Sequence, residues 1–302
     1  MSLPLSDLRR CFGERLQENV MLAPYTSARI GGPADALLIA NSADELAEAA
    51  VCLWQLNVPF ILLGGGSNVL ISDRGVRGMV VLNRAKAVRF ETGETPAVWA
   101  ESGVVFSNLA HRAAAQAFSG LEWAASVPGT LGGAVYGNAG AFGGDMSGNL
   151  IQAEVQTRTG REVWPVERLG YGYRTSVLKR GEVQAVILSA RLRLENSSKE
   201  AVGLKMQEFI ERRKRTQPPG ASMGSMFKNP PGDAAGRLIE AAGLKGSRVG
   251  NVEISPVHAN FFVNYGQTRA ADVRTLIELA QKTVLEKFGV QLELEIELIG
   301  EW

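Results

Sequence analysis

Residues 126–144 read SVPGTLGGAVYGNAGAFGG, a stretch with seven glycines among nineteen residues and no charged side chain. Each glycine placed in regular structure costs about 0.5–1 kcal/mol of backbone entropy, so a packed core gains nothing from such a stretch. We therefore interpret residues 126–144 as a loop against which a flat or phosphorylated ligand lies. A Gly/Ala surface that packs against a helix is the alternative.

A second glycine-rich stretch, LLGGGSNVL at residues 62–70, begins with an apolar segment that is typical of a strand. Consecutive main-chain N–H groups in such a turn can surround an anion, and Ser67 and Asn68 add side-chain donors. The stretch is neither a Walker A loop, which needs Gly-Lys-Ser/Thr, nor the GxGxxG fingerprint of a Rossmann fold. A tight turn without a ligand is the alternative. Together the two stretches predict a site for a cofactor that carries a diphosphate.

Length and charge limit the class of partner. A chain of 302 residues is long enough for two or three domains, and 32 basic and 31 acidic side chains leave a formal charge of +1. So small a charge attracts neither nucleic acid nor an anionic membrane, and we expect a small-molecule substrate.

The expected location is the cytoplasm. No apolar run reaches the roughly 18 residues of a membrane span, and the N-terminus lacks the pattern of a signal peptide. Two cysteines, Cys11 and Cys52, are too few for a disulfide framework. We expect both to be free thiols in a reducing compartment.

The order of predicted elements indicates an α+β protein. An amphipathic helix is predicted over residues 7–20, and Ser42 with Glu45 forms a capping-box signature for a second helix. Residues 88–195 are mostly β-like, and a long helix is predicted over residues 270–288. We expect domain boundaries after residues 86 and 197.

Three further segments contain candidate chemical groups. Arg174 lies among apolar and aromatic neighbours, where a guanidinium suits a carboxylate or phosphate, although a structural salt bridge is equally compatible. Ser225 lies in a long irregular loop, residues 217–231, and such loops are often functional. Residues 292–299 alternate strictly, which predicts a strand with three glutamates on one face.

Hydrolase and metal chemistry are disfavoured. Neither His111 nor His258 is an evident base for a nucleophilic serine, and the loop around Ser225 is not a nucleophile elbow. Two histidines and two cysteines at wide spacing give no zinc signature, so we expect no metal.

Seven stretches, in order along nearly the whole chain, carry a resemblance to one family. They are residues 26–32, 64–68, 127–143, 173–179, 224–230, 258–264 and 295–300. These stretches resemble the UDP-N-acetylenolpyruvoylglucosamine reductases of peptidoglycan synthesis, which share the FAD-binding fold of the vanillyl-alcohol oxidase group. Between Lys179 and Gln217 the chain lacks the extra loop of one branch, so it resembles the shorter second type.

The resemblance implies a fold and an activity. Two α+β FAD-binding subdomains would span residues 1–86 and 87–197, and a C-terminal α/β domain, residues 198–302, would bind substrate. The implied reaction is the NADPH-dependent, FAD-mediated reduction of UDP-N-acetylglucosamine enolpyruvate to UDP-N-acetylmuramate. No histidine or cysteine matches a flavin-attachment position, so we expect non-covalent FAD. We also expect a monomer or a weak oligomer.

The resemblance also implies roles for individual residues. Ser225 would donate the proton, Arg174 would stabilise the enolate-like charge, and Glu295 would be the C-terminal catalytic glutamate. The substrate would contact Lys228, Asn229 and Tyr173. The residues that would hold FAD are Gly64, Gly65, Gly66, Ser67, Asn68, Val127, Pro128, Gly129, Thr130, Gly132, Gly133, Asn138, Ala139 and Gly140.

Two alternatives stay open at this point. The chain could be another FAD-dependent oxidase or dehydrogenase of the same fold, acting on a sugar or an alcohol. Ser225 and Glu295 argue against an oxidase, because an oxidase needs a base that takes a proton rather than an acid that gives one. The other alternative is a non-catalytic flavin-binding protein.

Overall fold

Helices and strands are mixed along the whole chain in the structure, a computed structural model that describes residues 3–302. The helices are α1 (Leu5–Phe12), α2 (Ala43–Gln55), α3 (Phe106–Ala115), α4 (Leu131–Gly137), α5 (Met146–Asn149), α6 (Lys199–Thr216), α7 (Ala235–Ala241) and α8 (Ala270–Phe288). The strands are β1 (Gln17–Met21), β2 (Pro33–Ala40), β3 (Phe60–Leu63), β4 (Val69–Ile71), β5 (Val76–Asn83), β6 (Val88–Glu91), β7 (Ala97–Glu101), β8 (Phe118–Ser119), β9 (Gly140–Ala141), β10 (Gly144–Asp145), β11 (Leu150–Gln156), β12 (Arg161–Pro165), β13 (Val186–Arg193), β14 (Glu195–Asn196), β15 (Arg248–Val249), β16 (Val252–Ile254), β17 (Phe262–Asn264) and β18 (Glu297–Ile299). This content confirms the predicted α+β class.

The chain divides into two compact units, each built from separate stretches. Unit 1 comprises the residues up to Gln17, Ala36–Gly65 and Gly78–Arg213, and unit 2 comprises Glu18–Asp35, Gly66–Arg77 and Lys214–Trp302. The boundaries after residues 86 and 197 remain a prediction, and these units divide the chain differently. Two parts of the expected first subdomain, Glu18–Asp35 and Gly66–Arg77, belong to the unit that contains Lys214–Trp302.

Unit 1 is organised around an antiparallel five-stranded sheet in the order β12-β11-β13-β7-β6. Strand β3 pairs in parallel with β5, and α2 packs in the core beside them. Helix α2 begins as predicted, because the Ser42 hydroxyl accepts a hydrogen bond from the Glu45 N–H at 3.1 Å. The triple-glycine turn therefore begins directly after β3, a partly buried strand of this unit.

Unit 2 has its own core and two small sheets. Strands β15, β16 and β17 form an antiparallel sheet, and β18 pairs in parallel with β4. Buried apolar side chains of α7 and α8 pack against these strands. The observed bounds of α8, Ala270–Phe288, confirm the helix predicted there.

Two predicted elements are wrong in part. The helix predicted over residues 7–20 ends at Phe12, because Gly13 takes a left-handed φ of 57° and residues 17–21 form β1. The strand predicted over residues 292–299 is regular only in β18, and Leu294 makes an isolated bridge with Phe227 instead. The first difference arises at a glycine within the predicted helix, and the second arises because a tertiary partner overrides the local pattern.

The expectation of two free thiols is also wrong. Cys11 on α1 and Cys52 on α2 form a disulfide, with their Cα atoms 6.8 Å apart. Leu8 of α1 and Leu53 of α2 are fully buried in the same hydrophobic cluster, so packing of the two helices brings the sulfurs together. A count of two cysteines could not reveal this proximity. No helix in residues 3–302 is long and apolar enough to span a membrane.

Candidate functional site

The two glycine-rich stretches meet in unit 1. A Cβ atom added at Gly65 would lie 2.9 Å from the Cα atom of Gly129, and one at Gly64 would overlap the Thr130 hydroxyl. Only glycine lets the two backbones approach this closely. Arg84 fixes the turn, because its Nη1 donates to the Gly64 carbonyl oxygen at 2.9 Å. Unit 1 therefore presents residues 64–65 and 129–130 side by side.

Residues 126–144 are not one continuous loop, as the sequence had suggested, because α4 occupies residues 131–137. Thr130 caps this helix, and Asn138 ends it with a left-handed φ of 48°. A Cβ atom at Gly132 would lie 2.9 Å from the Cβ of Ser102, so this glycine permits close packing. Gly132 therefore packs against the turn after β7 and not against another helix.

Arg174 lies at the tip of a tight turn in unit 1. Gly172 and Thr175 exchange backbone hydrogen bonds of 3.2 and 3.3 Å, which leaves Tyr173 and Arg174 between them. Arg174 has a φ of 57°, an uncommon conformation for a residue with a side chain. Its Nη2 donates to the Gly140 carbonyl oxygen at 2.6 Å. The guanidinium is thus anchored to the glycine-rich segment, while the Tyr173 side chain is 56% exposed.

The turn that carries Arg174 is also tied to the end of α4. The last carbonyl groups of a helix lack intrahelical partners, and here the Tyr171 hydroxyl donates to the Val135 oxygen at 2.8 Å. The Ser176 hydroxyl donates to the Tyr136 oxygen at 2.6 Å. Burial, and then the charge of Asp145, raise the pKa of the Tyr171 phenol above its ordinary value.

Asn138 completes this connection with its side-chain amide. Its Nδ2 donates to the Gly172 oxygen at 3.0 Å, and its Oδ1 accepts from the Ser147 N–H at 3.0 Å. The side chain is 6% exposed. Its amide therefore holds the Arg174 turn against the end of α4, a contact that no sequence pattern indicated.

Ser67 and Asn68 belong to unit 2. There Asn68 contacts residues 293–297, which we call the Glu295 segment. The Asn68 side-chain amide donates to the Glu295 backbone oxygen at 3.0 Å, and the Glu297 N–H donates to the Asn68 backbone oxygen at 3.0 Å. A Cβ atom at Gly224 would lie 3.9 Å from the Ser67 oxygen. The end of the triple-glycine turn, the residue before Ser225 and the Glu295 segment therefore come together in one unit.

The residues after Ser225 pair with the Glu295 segment. The Glu295 N–H donates to the Met226 backbone oxygen at 2.9 Å, and the Lys228 backbone N–H donates to the Glu293 backbone oxygen at 2.8 Å. Ser225 itself forms an isolated antiparallel bridge with Phe261. The loop predicted at residues 217–231 is thus held as an extended segment around the serine.

Lys228 and Asn229 have protein partners. The Lys228 Nζ lies 3.4 Å from a carboxylate oxygen of Glu293, and both side chains reach solvent. The Asn229 Oδ1 accepts from the Ala235 N–H at 3.1 Å, at the start of α7. An exposed ion pair of this kind is weak, so Lys228 could exchange Glu293 for an anionic ligand at little cost.

One buried hydroxyl lies beside the glycine-rich surface of unit 1. Ser126 precedes Val127 and Pro128, and its Oγ is buried without a hydrogen-bond partner among residues 3–302. A buried hydroxyl without a partner costs free energy, so a ligand that accepts or donates there would stabilise the site. In the same described part of the chain, no three His, Cys, Asp or Glu side chains cluster as metal ligands would.

The predicted site residues therefore fall into two assembled sets. In unit 1 the structure brings Gly64, Gly65, Gly129 and Thr130 together, and it anchors Arg174 to Gly140. In unit 2 it brings Asn68, the Ser225 segment and Glu295 together. Asn260, which sequence reasoning assigned no role, contacts the residues that follow Ser225.

Two family models match the chain. Residues 34–164 match an FAD-binding domain, and residues 216–299 match the domain described as "UDP-N-acetylenolpyruvoylglucosamine reductase, C-terminal domain". The first match agrees with the predicted FAD-binding fold.

Whole-length relatives carry the same description. A UDP-N-acetylenolpyruvoylglucosamine reductase of Chloroflexus aggregans is 46% identical over 289 residues, which cover 94% of this chain and 97% of the relative. One from Synechococcus elongatus is 44% identical and covers 96% of each chain. The crystal structure of UDP-N-acetylenolpyruvylglucosamine reductase from Thermus caldophilus is 38% identical, with a TM-score of 0.81 over 94% of this chain and 99% of that one.

Proposed function

This chain belongs to the family of UDP-N-acetylenolpyruvoylglucosamine reductases, and we propose that NADPH is its reductant and Ser225 its proton donor in the FAD-dependent reduction of that enolpyruvyl ether to UDP-N-acetylmuramate. Membership in this enzyme family sets aside both alternatives, a flavin oxidase of other substrates and a non-catalytic flavin-binding protein. The observation that carries the residue assignment is the pairing of the Ser225 segment with the Glu295 segment in unit 2.

The residues present fit an FAD molecule. Gly65 approaches Gly129 closely with no side chain between them, and a surface formed by main chain in this way suits a diphosphate. The partnerless Ser126 hydroxyl offers a further polar contact. We assign the diphosphate to residues 64–68 and the flavin ring to residues 127–140, held without a covalent bond.

Different protein residues stabilise the charge and donate the proton during reduction of the substrate. When bound, the flavin supplies the hydride that adds to the methylene carbon of the enolpyruvyl group. The neighbouring carbon, which bears the carboxylate, then gains enolate-like charge and must take up a proton. The Arg174 guanidinium stabilises this charge, because a fixed cation needs no reorganisation as the charge develops. The Ser225 hydroxyl gives its proton to that carbon, and Glu295 supports the serine.

The substrate contacts rest on exposed polar groups. The Lys228 ammonium exchanges Glu293 for a substrate phosphate, and the Asn229 amide binds the sugar or phosphate beside it. The exposed Tyr173 ring, with the Arg174 guanidinium 5.5 Å from its centroid, covers part of the substrate. Lys228→Ala should therefore raise KM for the substrate far more than it lowers kcat.

Location and assembly complete the proposal. The protein acts in the cytoplasm as a monomer or weak oligomer. Because Cys11 and Cys52 form a disulfide, free thiols no longer support a cytoplasmic location. The proposed location rests on the absence of a long apolar run and of a signal-peptide pattern in the sequence. Cell fractionation tests the location, and sedimentation of the flavin-loaded protein tests the assembly state.

The decisive experiment separates the two half-reactions. In stopped-flow absorbance, NADPH should reduce the flavin of the Ser225→Ala protein at the parent rate. Reoxidation by the enolpyruvyl substrate should slow by about 10²–10⁴-fold, because the proton donor is missing. Ser222→Ala, in the same loop, is the matched control and should reoxidise normally. Unchanged reoxidation of the Ser225→Ala flavin would contradict the proposed proton donor.

A further inference from the structure

Asn260 makes an unusual set of contacts next to Ser225. Its side chain is 3% exposed, and both ends of its amide engage one residue, Phe227. The Oδ1 atom accepts from the Phe227 N–H at 2.9 Å, and the Nδ2 atom donates to the Phe227 oxygen at 2.8 Å. The backbone oxygen of Asn260 also accepts from the Met226 N–H at 2.8 Å. One residue thus satisfies three backbone polar groups of the two residues that follow Ser225.

These contacts lie on the edge of the serine segment that residues 293–295 do not engage. Along one edge, Met226 and Lys228 pair with residues 293–295. Along the other edge, the side-chain amide of Asn260 stands in for a neighbouring peptide group. Residues 226–228 are therefore held from both sides, and Ser225 directly precedes them. The bridge of Ser225 to Phe261 lies next to Asn260 in the chain.

Asparagine is well suited to this arrangement. The amide offers a donor and an acceptor at the spacing of a peptide group, whereas a carboxylate offers only acceptors and an alkyl chain offers neither. Loss of either group would leave a buried N–H or carbonyl of Phe227 without a partner. The segment would then shift to find new partners, and the serine would move with it.

We infer that Asn260 is a positioning residue that sets the Ser225 hydroxyl for proton transfer. The inference rests on the proposed role of Ser225 as proton donor. A proton transfer depends steeply on the distance and angle between donor and acceptor, so small displacements of a correctly folded loop slow it greatly. Asn260 itself contacts neither the flavin nor the substrate in this scheme.

The first test uses half-reactions of the flavin-loaded protein. Asn260→Leu should leave flavin reduction by NADPH at the parent rate and slow reoxidation by the enolpyruvyl substrate about a hundredfold. Its solvent deuterium isotope effect on reoxidation should rise, because proton transfer becomes slower than the other steps. Equal slowing of both half-reactions would overturn the inference.

Asn264→Leu is the matched control. Asn264 is 7% exposed in the same unit, and its amide donates to the Ala28 oxygen at 2.8 Å and accepts from the Gly266 N–H at 2.7 Å. It loses one buried and one partly buried side-chain hydrogen bond and makes no side-chain hydrogen bond with residues 225–228. Reoxidation at the parent rate in this variant supports the inference, and slowing equal to that of Asn260→Leu overturns it.

Asn260→Asp covers the case in which the leucine variant does not fold. A protonated carboxyl has one donor and one acceptor, like the amide, whereas a carboxylate repels the Phe227 oxygen. The reoxidation rate of this variant, relative to the parent, should therefore rise as pH falls. A ratio that does not change with pH would overturn the inference.

A double-mutant cycle separates this inference from the function on which it rests. If Asn260 acts through the serine, Asn260→Leu should add no further slowing in a Ser225→Ala background. The same factor in both backgrounds would show that Asn260 acts elsewhere, and the inference would fail alone. Parent-rate reoxidation by Ser225→Ala itself would instead refute the proposed proton donor.

Discussion

Gly65 lies where the second glycine-rich stretch leaves no room for a side chain. The Cβ atom of Gly65→Ala would lie 2.9 Å from the Cα of Gly129, and a backbone atom cannot move aside as a side chain can. We expect this variant to be purified with much less flavin, which the ratio of flavin to protein absorbance measures. Gly203→Ala is the control, because α6 has open space there, and it should gain about 0.5–1 kcal/mol of stability. Full flavin content in Gly65→Ala would refute the assigned site.

Tyr171, which holds the Arg174 turn against α4, makes the stability of the protein depend on pH. Its pKa is raised in the folded protein by burial and by Asp145, above the value of about 10 expected in the unfolded chain. The contribution of Tyr171 to the free energy of unfolding is therefore complete below pH ~10. It falls as pH rises further, because the unfolded state loses the phenol proton more readily than the folded state. Denaturation midpoints measured across alkaline pH should decline more steeply in the parent than in Tyr171→Phe. Tyr171→Phe should also lose about 1 kcal/mol at neutral pH, because the Val135 oxygen loses its partner.

The residues of the candidate site differ in how far sequence alone could identify them. Ser225, Arg174 and Glu295 follow from the resemblance, since each lies in a stretch that matches the family. Asn260 lies in such a stretch too, yet its contact with Phe227 joins residues far apart in the chain, and no periodicity encodes it. The resemblance assigns Asn138 to the cofactor, and this role stays a prediction; the contact of its amide with Gly172 had no signal in the sequence.

At the scale of elements, local signals were sufficient where local interactions dominate. Ser42 and Glu45 marked the start of α2, and the apolar spacing of residues 270–288 gave the bounds of α8. Helix α4 escaped detection because its glycines lower helix propensity, while burial of Leu131 and Val135 stabilises it. Its carbonyl partners, Tyr171 and Ser176, come from a distant turn that a local window cannot include.

Helix α8 has, besides the contact of its own Asp272 with the Arg269 N–H, a second N-terminal cap from a residue far away in the chain. The Asp73 carboxylate accepts from the Ala270 N–H at 2.8 Å and from the Ala271 N–H at 3.0 Å. Asp73→Ala should lower the free energy of unfolding by about 1–2 kcal/mol, because it removes both hydrogen bonds and a charge that favours the helix N-terminus. Urea denaturation measures this loss. Glu278→Ala removes only an exposed pair with Arg274 on the same helix and should change stability by less than about 0.5 kcal/mol. Equal losses in the two variants would argue against the cap.

At the scale of the whole molecule, the disulfide is the constraint that composition failed to predict. It closes a loop with a sequence separation of 41 residues, for which chain entropy gives about 4 kcal/mol of stabilisation. Cys11→Ser, Cys52→Ser and the double variant should each lose this amount, because each removes the same cross-link. Urea denaturation with and without a dithiol reductant measures it. The double variant should be insensitive to the reductant, and additive losses from the single variants would count against the bond.

The division of the chain into interleaved units has a consequence for its synthesis. Unit 1 ends at Arg213, so its last stretch leaves the ribosome before most of unit 2 has been translated. Strand β4, by contrast, must wait for β18, which pairs with it from the far end of the chain. We therefore expect the nascent chain to form its glycine-lined surface and Arg174 turn first. The half that contains Ser225 and Glu295 matures only after residue 299 has emerged, so reductase activity is the last property that the growing polypeptide acquires.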